Sequence, residues 1–469
     1  MPAGDMEKLK TAFQYGADAV YAGVPMFSLR ARENQFNIQS VKEAVDYTKS
    51  LGKKIYLTVN IFPHNYKLPA LKNALRPLAE LKPDAFIMAD PGVIMLSREI
   101  APEIPVHLSV QANNVNWASA RFWHKQGVER VILSREISLN EIKGIHEMNP
   151  SLELEFFVHG SICMAYSGRC LLSNYFTYRD ANQGTCAHSC RWEYKVHKSH
   201  SKYEVDPAEA ENRGYKALDG DYYLEEVNRP GQFMQIDEDE HGSYIMNSRD
   251  NCLIEYLKEL KDAGICSFKV EGRNKTVFYV ATVAKTYRQA IEDVEYGKPF
   301  NPDYIKELAK TSHRGVIPGF LMANPREKAQ EYEKNITHQT HEFIGIIKGI
   351  YDRDKVLIPA QRPSEEGDRA ENEVVPPLTE SESASLPNNR KLYELEVKGR
   401  FDAPGKCELF SPTQSLEWTL EKIYTMRGEP LTVIHPGQRE NVLIELPEDT
   451  CIGAMLRKER ERKAAIPVK

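Results

Sequence analysis

No cysteine occurs in the first 162 residues of this 469-residue chain. No apolar run approaches the roughly 18–20 residues that a membrane-spanning helix requires. The start, MPAGDMEKLK, has neither the basic residues nor the apolar stretch of a secretion signal. A cytoplasmic, reducing compartment without membrane association is therefore expected. Eight cysteines in such a compartment argue against a disulfide framework. The formal net charge of −6 gives no sign of nucleic-acid binding by global charge, so RNA contact would need a local basic patch. There is no HExxH zinc-protease motif and no GxSxG nucleophile elbow.

What is present is an alternation of two periods. Short apolar, β-branched runs lie at 19–24, 54–60, 85–90, 106–113, 130–136, 154–160 and 267–273, with amphipathic stretches between most of them. Runs that are apolar on both faces fit buried parallel strands, and alternation with helices predicts an α/β fold. An eighth strand is expected at 1–3, ahead of a helix capped by Asp5 and closed by Gly16. A (β/α)8 TIM-like barrel with a truncated first strand is predicted over 1–325, the strand being either short or cut by a start codon placed too late. A cysteine-rich insertion at about 160–250 falls between the seventh and eighth strands. From Phe343 the pattern changes to strict alternation, which predicts a small C-terminal all-β barrel over 340–469. A Pro-, Glu- and Ser-rich stretch at about 363–389 reads as a disordered insertion. The mixed-charge tail 457–463 reads as a solvated helix end.

In such barrels the reactive face lies at the C-terminal ends of the strands. Polar residues collect there: Tyr21, Asn60, His64, Asp90, Gln111, Asn113, Arg135, Glu136, His159, Lys269, Glu271 and Arg273. Asn60, Gln111, Asn113, Arg135, Lys269 and Arg273 are the candidate substrate-binding residues. Lys275 shares with the three basic ones a suitability for phosphates or carboxylates. His159, Tyr166 and Glu271 are the candidate catalytic groups. His159 is equally suited to hydrogen-bonding the loop backbone, and Tyr166, Tyr175 and Phe176 to stacking on a base or packing under the loop.

The four cysteines that follow the seventh strand, Cys163, Cys170, Cys186 and Cys190, have the spacing Cys-x6-Cys-x15-Cys-x3-Cys. Structural zinc sites favour two close pairs, and here only the last pair is close. A 4Fe-4S cluster tolerates looser spacing, since each iron takes one thiolate. Zinc and ordinary buried thiols remain alternatives, and Cys252 is a rival for the fourth position. Cys407 and Cys451 read as core residues of the C-terminal module.

The runs EFFVHGSICMAYSGRCLLSNY, NQGTCAHSCRWEY, DEHGSYIMNSRD and KVEGRNK, with PAGDMEKLKTAFQYGADAVYAG at the start, resemble the collagenase-like peptidase family of unassigned catalytic type. The closest likeness is to those members that act on tRNA. The resemblance implies O2-independent, prephenate-dependent hydroxylation of the wobble uridine to 5-hydroxyuridine. It also implies a 4Fe-4S cluster on Cys163, Cys170, Cys186 and Cys190. Expected partners are the tRNA anticodon loop and prephenate. Proteolysis, and RNA binding around a structural metal without catalysis, are the alternatives. A thiol protease needs a free thiolate beside a histidine, whereas these thiols read as ligands of a cluster.

Overall fold

The computed structural model describes residues 1–29, 35–163, 165–167, 169–171, 173–174, 178–181, 185–187, 248–323, 338–351 and 391–460, together with the backbone of three strands between 222 and 244. Cys190, Tyr175, Phe176 and the stretch 363–389 lie outside the described residues. The described residues fall into two compact units, one holding most of 1–338 and the other Gln339 onward together with Gln14–Gly16 and Glu307–Thr311.

The first unit is built on parallel strands in sequence order. They are β1 (Pro2–Ala3), β2 (Ala19–Gly23), β3 (Lys54–Thr58), β4 (Ala85–Met88), β5 (Val106–Leu108), β6 (Arg130–Ile132) and β7 (Glu153–Ser161). Each pairs in parallel with the next. Helices α1 (Met6–Gln14), α2 (Ile38–Ser50), α3 (Leu68–Glu80), α4 (Pro91–Ile100), α5 (Trp117–Lys125) and α6 (Leu139–Met148) occupy the connections. Their starts follow capping chemistry. Asn37 and Ser138 form reciprocal capping boxes with Ser40 and Glu141.

The insertion after β7 carries strands of its own. It holds an antiparallel meander of β8 (Tyr222–Glu225), β9 (Phe233–Asp239) and β10 (Gly242–Tyr244). Next come β11 (Asp250–Cys252), α7 (Leu257–Asp262) and β12 (Ile265–Val270). Two strands then share one side of β7. β12 runs parallel to Leu154–His159, and β11 runs antiparallel to His159–Ser161. Cys252, the rival fourth ligand, therefore ends a strand. β13 (Val316–Ile317) extends the sheet beside β11. Helix α8 (Val277–Glu295) is capped by Thr276 and buries Val277, Phe278, Val280, Ala281 and Ala284.

At the sheet's two ends, the Tyr21 hydroxyl of β2 donates to the Val270 carbonyl of β12 at 2.8 Å. A Cβ on Gly4, just past β1, would meet the Arg273 carbonyl at 2.6 Å. Only a residue without a side chain allows that approach.

The second unit is an eight-stranded antiparallel sheet running from β14 (His341–Tyr351) to a last strand at Met455–Glu459. Alternate residues fill its core: Ile344, Ile347, Tyr393, Leu395, Leu409, Leu456 and others, with Cys407 inside and Cys451 at its margin. The last strand corrects the expected helix end at 457–463 in part: 457–459 are strand, Glu459 and Arg460 are exposed, and 461–463 lie outside the described residues. Arg457 is fully buried. Its Nε donates to Glu408 at 3.0 Å, Glu307 lies at 2.6 Å, and the guanidinium covers the Phe410 ring. A buried arginine persists only when paired in this way.

Candidate active site

The C-terminal ends of the parallel strands do not continue as strands. β5 stops at Leu108, and Val110–Ala112 forms a single 3-10 turn closed by Asn113 in the left-handed region at φ 52°. Asn tolerates this conformation. The turn carries Gln111 toward Asn60, which follows β3. The Leu29 amide donates to Asn60 Oδ1 at 3.0 Å, and Asn60 Nδ2 donates to Gln111 Oε1 at 2.7 Å. The Ser109 hydroxyl donates to the same oxygen at 2.9 Å. Asn113 Nδ2 donates to the Gln111 carbonyl at 2.9 Å. Arg273 joins from beyond β12, donating to the Leu29 carbonyl and to Thr58 Oγ1. Asn60, Gln111, Asn113 and Arg273 are thus brought together through one short loop around Leu29. Asp90 is not among them, because its carboxylate caps α4 by accepting from the Val93 amide at 2.9 Å.

Arg135 and Glu271 meet at 3.2 Å, both with largely buried side chains. The Arg135 guanidinium lies 3.8 Å from the Phe157 ring centroid. Lys269 lies deeper. Its Nζ is 2.6 Å from Glu155 and 4.2 Å from the Tyr21 ring centroid. Glu155 also accepts from Arg130, which reaches Tyr56. Burial alone would raise the Glu155 pKa, but Lys269 and Arg130 outweigh it and hold the carboxyl at about 2. The chain's polar interior therefore includes Glu155, Arg130 and Tyr56, none of which the sequence nominated. The charged pattern of Glu153 and Glu155 around Leu154 was the available signal.

His159 is buried between the rings of Tyr279 and Tyr287 on α8, at centroid distances of 5.9 and 5.4 Å. Its Nδ1 is 3.3 Å from the Tyr287 hydroxyl, which itself donates to the Val158 carbonyl. That hydroxyl can therefore accept only if Nδ1 carries the proton. Burial lowers the ring's pKa to about 3 against the opposing charge of Asp250, so it is neutral near pH 7. Cys252 sits against the same hydroxyl at 3.8 Å, and burial raises its thiol pKa.

The cysteine loop leaves the end of β7. Cys163 is exposed, Cys170 and Cys186 are half-buried, and none of the three is in a disulfide. Ser173 ties the loop together, donating to the Arg179 carbonyl at 2.6 Å and accepting from the Ala187 amide at 2.8 Å. Arg179 donates to the carbonyls of Thr185 and Cys186. These bonds draw the segment after Cys170 toward Cys186 and place a guanidinium beside it. Solvent-reachable thiols on one loop with an adjacent cation fit a thiolate-bound, negatively charged centre. Among the described residues no three metal-ligating side chains are gathered as a metal group. Tyr166 lies on the same loop and is half exposed. No helix among the described residues is long and apolar enough to cross a membrane.

Comparison with known proteins places this geometry in a family. Residues 4–331 match the model described as peptidase family U32. The tRNA hydroxylation protein P of Escherichia coli (strain K12) is 41% identical, over 96% of this chain and 93% of that one. The protein of the same name from Haemophilus influenzae is 39% identical, with the same two coverages. A protein named collagenase from Porphyromonas gingivalis is 30% identical over 74% of this chain and 78% of its own. With more than half its length matched by the family model and near-full-length relatives at about 40% identity, the chain belongs to peptidase family U32.

Proposed function

We propose that this chain is a tRNA-modifying enzyme that hydroxylates the wobble uridine to 5-hydroxyuridine, without O2 and with prephenate as co-substrate. The observation that carries this is similarity along nearly the whole chain, C-terminal unit included, to two proteins named for tRNA hydroxylation. The match to the collagenase is shorter and weaker. The approach of Tyr21 to Val270, and of Gly4 to Arg273, supports closure of the eight parallel strands into a (β/α)8 barrel. The strand ends then form one face around a pocket.

Cys163, Cys170, Cys186 and Cys190 would hold a 4Fe-4S cluster at the rim of that face. When bound, it would supply the redox or Lewis-acid chemistry that a two-electron oxidation at uracil C5 needs. The remaining roles belong to the chain's own side chains. Arg135, fixed by Glu271, and Arg273, fixed by Thr58 and the Leu29 carbonyl, present oriented guanidinium groups for phosphate or carboxylate oxygens. Tyr166 is exposed enough to stack on a base extruded from the anticodon loop. Lys269 is held by Glu155, so its role is to keep the interior charged and ordered. His159, neutral and packed, supports the cysteine loop's exit from β7. Zinc would replace the cluster only in the reading as a non-catalytic RNA-binding protein.

Proteolysis is a second reading, favoured by the collagenase match. One experiment separates the two. An Escherichia coli strain lacking its own relative is complemented with this chain, and its tRNA nucleosides are resolved by mass spectrometry. Restored 5-hydroxyuridine supports the hydroxylase. Its absence, together with gelatin cleavage by the anaerobically purified protein, supports the peptidase.

A further inference from the structure

Two buried polar atoms on the turn after β5 lack hydrogen-bond partners among the described residues: Gln111 Nε2 and Asn113 Oδ1. Their chemical identities are fixed by backbone groups. The Leu29 amide can only donate, so Asn60 presents Oδ1 to it and turns Nδ2 toward Gln111. Gln111 must answer with its oxygen, which also takes the Ser109 hydroxyl. Nε2 is what remains. Likewise, the Gln111 carbonyl can only accept, so Asn113 gives it Nδ2 and keeps Oδ1. One donor and one acceptor, two residues apart on a single turn, are therefore left over with their orientations locked.

Gln111 is 2% exposed. A buried amide group left unsatisfied is costly, so a donor and an acceptor left over on one turn are open to a ligand. A carboxylate would satisfy the donor but repel Asn113 Oδ1. A phosphate would do the same. A planar edge carrying an acceptor beside an N–H satisfies both, and a pyrimidine base presents such an edge.

We infer that Gln111 and Asn113 read the hydrogen-bonding edge of the target pyrimidine, and that the carboxylates of an acidic co-substrate are held elsewhere, by the arginines. This assignment rests on the uridine-hydroxylation reading and names the residues that recognise the base.

The test exploits the spare atoms. Gln111→Glu keeps the oxygen that Asn60 and Ser109 use and replaces only the orphan donor. Asn113→Gly keeps the left-handed turn and removes only the side chain. Asn113→Asp keeps an acceptor but loses the bond to the Gln111 carbonyl. In the complemented strain, Gln111→Glu and Asn113→Gly are each expected to cut 5-hydroxyuridine about tenfold, the factor for one lost hydrogen bond of about 1.4 kcal/mol. Asn113→Asp, which loses the orienting bond, should not exceed Asn113→Gly by more than a few-fold, and the iron content of the purified variants should match wild type. Wild-type modification by folded Gln111→Glu, or by Asn113→Gly should the first not fold, overturns the assignment. Should the wild-type chain itself restore nothing, the uridine reading fails. Equilibrium binding of uridine monophosphate to purified wild type and Asn113→Gly then decides, and equal affinity, or no binding by either, overturns the base-edge assignment as well.

Discussion

The carboxylate of Glu271, one residue past β12, lies 3.2 Å from the guanidinium of Arg135, three residues past β6. Residues 136 positions apart in sequence are thereby locked across the end of the sheet, with the guanidinium laid on Phe157. Removing one partner of a buried pair strands the other's charge. Glu271→Ala is expected to lower stability by about 3 kcal/mol and to abolish tRNA modification. Urea denaturation and nucleoside analysis check the two parts. Unchanged stability would show that Arg135 is solvated or paired elsewhere.

The Glu155–Lys269 pair gives an acid dependence. Its folded carboxyl, at about 2, is below its ordinary value. That contribution is therefore complete above the unfolded pKa of about 4.3 and is lost as pH falls from there toward 2. Glu155→Gln should remove this component and cost about 3–5 kcal/mol at neutral pH by stranding Lys269. Denaturant midpoints measured across that acid range test it.

His159 gives a dependence at higher pH. A histidine held at about 3 when folded resists the proton that the unfolded chain accepts near pH 6.5. Its contribution is full above about 6.5 and is lost as pH falls toward 3, at up to about 1.4 kcal/mol per pH unit. His159→Phe should flatten the stability profile between about pH 5 and 6.5. His107, also lowered to about 3 by burial, supplies a second such component that remains. A slope unchanged in His159→Phe would contradict the buried, neutral assignment.

The cysteines divide into two sets by environment. Cys163→Ala, Cys170→Ala and Cys186→Ala are expected to lose iron and tRNA modification together. Cys252→Ser, set against Tyr287 and away from the loop surface, should keep iron and lose only stability, by about 1–2 kcal/mol. Iron and acid-labile sulfide, measured after anaerobic purification, separate the sets. Iron loss in Cys252→Ser would return that thiol to the ligand set.

The strands were legible because AVYAG, KIYLT and AFIM are apolar on both faces. What the sequence hid lies where a strand stops. SVQANN reads as a continuing strand, yet Asn113 takes a left-handed conformation and converts it into the turn that positions Gln111. Propensity does not report such a stop, because Asn is only permitted there, not compelled. β11 and β13 hold three and two residues, too few for any periodic signal. The partner of Glu155 lies 114 positions away, so nothing near it in the sequence marks a buried, paired carboxylate. Arg457 looked solvated amid other charges, but Glu307 and Glu408 make its burial possible.

The central claim, that a cysteine-held cluster on this chain drives hydroxylation of a tRNA uridine, is tested most directly in one strain. An Escherichia coli mutant lacking its own relative is grown without O2 and supplied with wild-type chain or with Cys163→Ala, and 5-hydroxyuridine and its derivatives are quantified in bulk tRNA. Restoration by the wild type and none by the variant is the expected result. Equal restoration by both would remove the cysteines from the chemistry, and restoration by neither would remove the chain from the reaction.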